Sequence, residues 1–248
     1  MKASDLKGII DKTSIGMASS SFGRQHLEGL YFDVNETTVT TIATDTSMAA
    51  SASVKIENSS MCQAIVSRKA VNQISKLISG ESEEILLTIS LNAISIKALS
   101  FQFSSKLISG KYPVSVEQVV DYNPGGEESV IKIDPKTFSE TLNRISLIAL
   151  DGRAIKMIFA SDGITLAGGN RSDKGNELYK VQHEGPNMEI LFDVGYFRQI
   201  LSCIDEDVCE LKVFGNDKAC IIVTHGQYNN QYSVMPLLET PATANLKK

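Results

Sequence analysis

The chain has 248 residues, of which 42% are hydrophobic and 21% are charged, and its formal net charge is −5. This composition is typical of a soluble globular protein of one or two domains. The acidic balance alone argues against a nucleic-acid-binding protein. The sequence also lacks an apolar run of the ~18 residues that a membrane-spanning helix needs, so no membrane association is expected.

The first residues and the cysteines indicate the cellular compartment. The start, MKASDLKGII, has no apolar core of a secretory signal. Cys62, Cys203, Cys209 and Cys220 show neither C-x-x-C spacing nor nearby histidines at ligand spacing. We therefore expect a cytoplasmic protein with reduced thiols and no bound metal or cofactor, with a disulfide as the alternative.

The first half of the chain predicts a helix followed by antiparallel strands. Residues 4–19 have helical periodicity, and Ser4 is the expected N-cap. From Leu27 to Ile56 the pattern is strand, turn, strand, turn, strand. A polar corner, Thr44-Asp45-Thr46-Ser47, joins the last two of these strands. A second helix over residues 67–79 and further strands complete this half.

The second half repeats this order after the strongest chain breaker, Asn123-Pro124-Gly125-Gly126. Its two helices are expected to begin after Asp134 and Asp193, which would act as N-caps. The repeat predicts an α+β fold of two tandem domains, each with two helices packed on antiparallel sheets. The domains are placed at residues 1–122 and 129–238, with a linker at 123–128 and a mobile tail at 239–248.

The predicted helices are basic although the chain is acidic. In the second helix the expected core stripe is Val71, Ile74, Leu77 and Ile78, and in the third it is Phe138, Leu142, Ile145 and Ile148. The four helix bodies hold eight basic residues against three acidic ones, whereas the chain holds 24 against 29. These are either ordinary solvated helix faces or a positive surface for DNA.

Three segments resemble the bacterial β sliding clamp family of DNA polymerase III. LEGLYFDVNETTVTTIATDTSMAAS is similar to the family segment that ends A-T-D-G-H-R-L-A. SSKLISGKYPVSVEQVV is similar to a family segment that contains [FY]-P and ends V-[IL]-P, and QYSVMPLL to the family's C-terminal V-[VM]-P segment. The three lie in the family's order and match its second and third domains. The strand that should open the first domain is clipped to MKA.

The resemblance implies a ring-forming fold that encircles duplex DNA without reading its sequence, a processivity factor for replication and not an enzyme. Helices would line the hole, where basic side chains meet phosphates. Arg24 matches a DNA-contacting family arginine, and Gln25 follows it. The predicted DNA-binding residues are Lys7, Lys12, Arg24, Gln25, Arg68, Lys69, Lys76, Lys136, Arg144 and Arg198.

The resemblance also implies a shallow apolar pocket where a short peptide of a polymerase, a clamp loader or another clamp-binding protein docks. Ordinary hairpin packing is the alternative reading of the corner. The sequence departs from the family's G-H-R-L at Thr46-Ser47-Met48-Ala49 and from its proline at Val120, which puts the usual peptide in doubt. The predicted pocket residues are Leu27, Thr44, Thr46, Ser47, Met48, Val120, Val234, Met235, Pro236 and Leu237.

Other function classes are weaker. The sequence has no G-x-S-x-G, H-E-x-x-H or phosphate-binding-loop motif, and His26, His183 and His225 are isolated. A clamp mimic that binds clamp partners or a full-length clamp without encircling DNA is the main alternative.

The resemblance implies a ring of six domains, so three copies of two domains would close it, with a dimer or a monomer as alternatives. Leu147 lies about 200° from Ile145 around its helix, so it should point away from the core and mark the seam between subunits.

Overall fold

The computed structural model describes residues 1–19, 24–57, 60–80, 84–149, 153–169 and 174–238. By their contacts the residues form two compact units. Unit 1 is Met1–Tyr122 together with Gly226–Gln231, and unit 2 is Asn123–His225 together with the chain from Tyr232 onward. The predicted tail, 239–248, lies outside the described residues.

Unit 1 combines helices with antiparallel sheets. One sheet has the strand order β4-β1-β2-β3 and the other has the order β5-β6-β7. Its elements in chain order are α1 (Ala3–Thr13), β1 (Gly29–Val34), β2 (Thr38–Thr44), β3 (Met48–Lys55), β4 (Cys62–Ser67), α2 (Arg68–Leu77), β5 (Leu86–Ile89), β6 (Ala93–Lys97), β7 (Gln102–Lys106) and the single turn α3 (Glu117–Val120).

The start of α1 differs from the prediction. Ser4 lies inside the helix, and Lys2 occupies the N-cap position without a side-chain hydrogen bond. The reason is that the first residues pair with the chain just before β5. Met1 and Ile85 exchange backbone hydrogen bonds of 3.1 and 2.9 Å, and Lys2 forms an isolated antiparallel β-bridge with Glu84. The chain therefore enters the helix directly from this short pairing.

The core of unit 1 lies between the helices and the sheets. Leu6, Ile9, Val71 and Ile74 are buried with strand residues in one apolar cluster. The predicted stripe of α2 is wrong at Leu77, which is 38% exposed, whereas Ile78 is 1% exposed. Since α2 ends at Leu77, the chain changes direction there and Ile78 takes the buried position.

Unit 2 repeats the arrangement of unit 1 and confirms the predicted α+β architecture of helices on antiparallel sheets. Its sheets have the orders β11-β10-β9-β12 and β15-β14-β13-β8. Its elements are β8 (Ser129–Ile133), α4 (Pro135–Ser146), β9 (Ala154–Ala160), β10 (Gly163–Gly169), β11 (Lys174–Tyr179), β12 (Met188–Asp193), α5 (Val194–Ser202), β13 (Cys209–Val213), β14 (Cys220–His225) and β15 (Asn229–Val234), of which residues 229–231 are counted with unit 1.

Both long helices of unit 2 are capped as predicted. The carboxylate of Asp134 accepts hydrogen bonds from the N–H groups of Lys136 and Thr137 at 2.8 and 3.2 Å. Asp193 accepts from the N–H of Gly195 at 2.8 Å and also pairs with the Arg153 guanidinium, whose Nε lies 2.9 Å away. These carboxylates satisfy N–H groups that the helix itself leaves unpaired.

Candidate functional site

The polar corner between β2 and β3 is held by hydrogen bonds within the turn. The Asp45 carboxylate accepts from the N–H groups of Ser47 and Met48 at 2.9 and 2.8 Å, and the Thr44 hydroxyl donates to the Met48 carbonyl at 2.7 Å. This is the side-chain-closed turn that aspartate favours. Thr46 has φ 81°, a left-handed conformation that costs a residue with a Cβ roughly 1–2 kcal/mol.

Tyr112 stabilises this corner. Its hydroxyl accepts a hydrogen bond from the Thr44 N–H at 3.1 Å, and its ring stacks on Tyr31 with 4.9 Å between centroids. Burial raises the pKa of Tyr112, and burial together with the nearby Asp33 carboxylate raises the pKa of Tyr31 to about 12. Both phenols therefore remain protonated at neutral pH. Sequence reasoning missed Tyr112, although its position in the KYP segment was the signal.

Some of the predicted pocket residues of unit 1 are buried and have a structural role. Leu27 and Met48 are each 2% exposed, so they support the corner from below. Thr46 is exposed, and Ser47 and Val120 are half-buried. The accessible surface at the corner is therefore more polar than the sequence alone suggested.

The predicted pocket residues of unit 2 provide exposed apolar surface. Val234 is fully buried, but Met235 is 45% exposed and Leu238, which sequence reasoning omitted, is 88% exposed. The signal for Leu238 was the pair of leucines that follows Pro236. The Leu237 N–H donates to the Leu191 carbonyl at 2.7 Å, which fixes this segment beside β12. Here Asn187, Glu189, Leu191, Asn216, Asp217, Pro236, Leu237 and Leu238 line a groove of about 740 Å³.

Exposed basic side chains are found on α2 and α5. Lys69 and Lys76 are exposed on α2, with the exposed amides of Asn72 and Gln73 between them, and the helix contains no acidic residue. On α5, Arg198 lines a groove of about 420 Å³ with neutral polar side chains of α4 and α5. Sequence reasoning missed these groove residues because it looked for charge alone: Ser139, Asn143, Gln199 and Ser202.

Three predicted DNA-binding residues are engaged in ion pairs. Lys7 pairs with Asp11 four residues along α1, and the Lys136 Nζ lies 3.7 Å from Asp207. Arg144 donates from Nε to both carboxylate oxygens of Glu177 at 3.1 Å. Hydrogen bonding in this last pair raises the pKa of Arg144 and lowers that of Glu177.

Two further predicted DNA-binding residues have structural roles. Lys12 is only 4% exposed, with its Nζ 5.9 Å from the centroid of the Tyr228 ring, so it does not lie on the surface as predicted. The reason is that the C-terminal segment of unit 1 covers this part of α1. The Arg68 guanidinium donates to the carbonyls of Met17 and Ala18 at 2.8 and 3.0 Å, and so anchors the chain that follows α1.

The remaining predicted residues lie on the surface. Arg24 and Gln25 are exposed at the start of a short 3-10 turn, Gln25–Glu28. Leu147 is 86% exposed at the end of α4, so it points away from the core as predicted. Within the described ranges no helix could cross a membrane, and no cluster of histidine, cysteine and carboxylate side chains could hold a metal ion.

Two family models match the chain in sequence order. Residues 1–114 match the DNA polymerase III beta subunit, central domain, and residues 122–238 match the C-terminal domain of the same subunit. The chain belongs to the DNA polymerase III beta subunit family.

Proteins of the beta subunit family align with most of this chain. The beta sliding clamp of Pseudomonas putida is 25% identical over 96% of this chain and 64% of its own length. That of Staphylococcus aureus is 26% identical over 94% of this chain and 62% of its own. The chain therefore spans less than two thirds of the length of these relatives.

Solved structures of the family share the fold. The crystal structure of the DNA polymerase III subunit beta from Pseudomonas aeruginosa has a TM-score of 0.88 at 25% identity, covering 96% of this chain and 65% of that chain. Relative to the family's G-H-R-L pattern, the left-handed position in the corner here holds Thr46 in place of glycine.

Proposed function

We propose that this chain is a DNA sliding clamp: a non-enzymatic processivity factor of the cytoplasm that encircles duplex DNA and tethers replication or repair proteins. The observation that carries the proposal is the match of two consecutive beta subunit domains to nearly the whole chain. The exposed lysines of α2 support it, because they form a positive strip on an acidic protein.

Contact with DNA is assigned to the exposed, basic helix faces. Lys69, Lys76 and Arg198 would meet phosphates, and the amides and hydroxyls beside them would donate hydrogen bonds to the backbone without reading bases. Arg24 and Gln25 extend this set. Lys7, Lys136 and Arg144 would contribute more weakly, because each is held by an acidic neighbour.

Partner binding is assigned to the corner of unit 1 and to the exposed apolar segment Met235–Leu238 of unit 2. Exposed apolar side chains bordered by polar groups suit a short peptide of a polymerase, a clamp loader or a repair protein. The strained Thr46 and the buried Met48 change the corner relative to the family pattern. A peptide different from the family's usual one is the expected ligand.

The test measures binding to linear duplex DNA as a function of salt. The variant Lys69→Glu/Lys76→Glu/Arg198→Glu should bind at least tenfold more weakly than wild type at low salt and show a smaller salt slope, since each neutralised phosphate contributes about −0.9 to it. The control Lys97→Glu/Lys132→Glu/Lys180→Glu makes the same charge change on exposed strand and loop positions. Equal loss in both variants, or no loss in either, would contradict binding through the helices. Absence of DNA binding by wild type would favour the clamp mimic.

A further inference from the structure

Unit 1 contains a groove that lies apart from the predicted peptide pocket, since none of the predicted pocket residues lines it. It runs beside β4, the end strand of its sheet, and has a volume of about 1050 Å³. The segment after β7 forms its other wall, and Leu91, 93% exposed in the β5–β6 turn, stands at its end. This groove is called the β4 groove below.

The backbone of β4 presents hydrogen-bonding groups to the β4 groove. The Ile65 carbonyl points away from β1, because it accepts the N–H of Ile108 at 2.9 Å. Residues in an antiparallel strand alternate in the side to which their N–H and C=O point. Gln63, two residues earlier and paired with Asp33 of β1, therefore directs its N–H and C=O into the groove.

The charged side chains that line the β4 groove are basic, while the carboxylates of Asp33 and Glu117 lie outside the lining but near enough to its Tyr31 floor to raise the pKa of that phenol. Lys106 and Lys111 lie along it and both are exposed, and none of the described residues that line it is acidic. Its floor is apolar: Ile65 is 4% exposed and Tyr31 is 7% exposed. The segment Leu107–Ile108 already pairs with β4 at Ile65 and Val66, so the part of the strand edge that faces the groove is the part at Gln63. Two cations above an apolar floor and beside this free part of the edge are the features that bind an extended acidic peptide.

Unit 2 contains the same construction with carboxylates in its lining. After its last strand, the Leu237 N–H donates to the Leu191 carbonyl of β12, as Ile108 does to Ile65 of β4. The groove beside β12 has Glu189 and Asp217 in its lining and, among the described residues there, no basic side chain. The repeat has therefore kept the edge contact, with two carboxylates in place of two lysines. One of these carboxylates, Glu189, is paired with the buried Lys156 at 3.4 Å, so among the described lining residues Asp217 carries the unpartnered difference in charge between the two linings.

We propose that the β4 groove is a peptide-binding site, distinct from the partner surface assigned above, which takes an extended acidic segment of a partner protein as an added strand on β4. The peptide backbone pairs with Gln63, alternate apolar side chains lie on Ile65 and Tyr31, and the acidic side chains between them face Lys106 and Lys111. The site requires neither DNA binding nor ring formation.

The probe is a short fluorescein-labelled peptide in which valine and glutamate alternate, titrated with the full chain and followed by fluorescence anisotropy. Saturable binding that weakens with salt is expected, because the charge pairs are exposed to solvent and screened. The same peptide with lysine in place of glutamate should bind at least tenfold more weakly. Absent saturation, or equal binding of the two peptides, overturns the proposal.

Charge variants locate the probe on the chain. Lys106→Glu/Lys111→Glu should weaken binding about tenfold or more, since each contact becomes repulsive. Lys97→Glu/Lys180→Glu, with the same charge change at exposed positions outside the groove, should bind as wild type does. DNA affinity should change equally in both double variants. An equal loss of peptide binding in both variants would overturn the assignment to the β4 groove.

A backbone variant tests strand addition separately from charge. Gln63→Pro removes the N–H that faces the groove at an edge position where proline is tolerated, and Gln63→Ala removes only the side chain, including its 2.7 Å hydrogen bond to Asp33. Loss of binding in the proline variant alone supports strand addition, whereas equal binding by both variants excludes it. If the proline variant fails to fold, a probe N-methylated at alternate residues replaces it. Undiminished binding of that probe excludes the added strand. If the solution mass of the protein instead rises with its concentration, and Lys106→Glu/Lys111→Glu abolishes that rise, the groove binds a second copy of the chain.

Discussion

At the scale of single residues, the corner is strained at one position. Thr46 has positive φ, and its side chain is exposed, so a Cβ there costs conformational energy without burying apolar surface. Glycine accepts this conformation without penalty, although it also gains entropy in the unfolded chain.

Thr46→Gly should therefore stabilise unit 1 by about 0.5–1 kcal/mol, the left-handed cost less the added unfolded-state entropy. Chemical denaturation measures the change in the free energy of unfolding. Thr37→Gly, at an exposed turn position with no positive φ, is the control and should destabilise the protein. A destabilised Thr46→Gly variant would show that the threonine contributes more than it costs.

The sequence predicted the solvent exposure of individual side chains only in part. The angular position of Leu147, about 200° around the helix from Ile145, correctly indicated that it faces outward. It could not indicate that Lys12 is covered, because the covering residue, Tyr228, is more than 200 positions away in the chain. Contacts between distant segments also explain Arg68, whose guanidinium has carbonyl partners that no local pattern predicts.

At the scale of elements, the ion pair Arg144–Glu177 connects α4 to β11. The folded state lowers the pKa of Glu177 through the hydrogen bond from Arg144. A carboxyl group whose folded pKa is lowered stabilises the fold above its unfolded pKa, which is about 4.3. That contribution is lost as the pH falls through the folded value.

Glu177→Gln should consequently lower the urea midpoint slightly near pH 7, and the difference from wild type should shrink steadily below about pH 4. The effect is small because the pair is exposed to solvent. Asp207→Asn, which removes a more exposed pair with a 3.7 Å separation, serves as the control and should change little. A difference that grows as the pH falls would contradict the role of the pair.

The elements themselves were largely predictable from sequence. The caps Asp134 and Asp193 act locally, through N–H groups two or three residues away, so sequence patterns find them. Ser4 failed as a cap because Met1 and Lys2 pair with a distant strand and shift the helix start. Leu77 failed as a core residue because the end of α2 breaks the helical period.

At the scale of the whole molecule, the expected assembly is a closed ring of three copies, because six clamp domains close the ring that the resemblance implies. The exposed Leu147 is the residue expected at the seam. An apolar side chain this exposed on a helix end is explained if a neighbouring copy covers it.

Leu147→Asp should therefore reduce the solution mass, measured by light scattering, from three times 27.0 kDa to that of a single chain. Burying an unpaired charge at the seam costs several kcal/mol, whereas the isolated chain should keep its stability. Val208→Asp places the same charge at another exposed position of unit 2 and should leave the mass unchanged. A dimer mass for wild type would indicate a ring of a different composition, and a single-chain mass for wild type at tens of micromolar would contradict self-assembly.

The edge contact that recurs in both units, Ile108 to Ile65 and Leu237 to Leu191, has a consequence for how such a chain evolves. After an ancestral duplication, two copies of one groove are encoded at separate places in one gene, so each accumulates substitutions independently. Here the lining of one copy holds two lysines and that of the other holds two carboxylates, one of them paired with Lys156, while the backbone contact is the same in both. A protein with two such grooves can in this way acquire a new binding partner at one groove without losing a partner that binds the other.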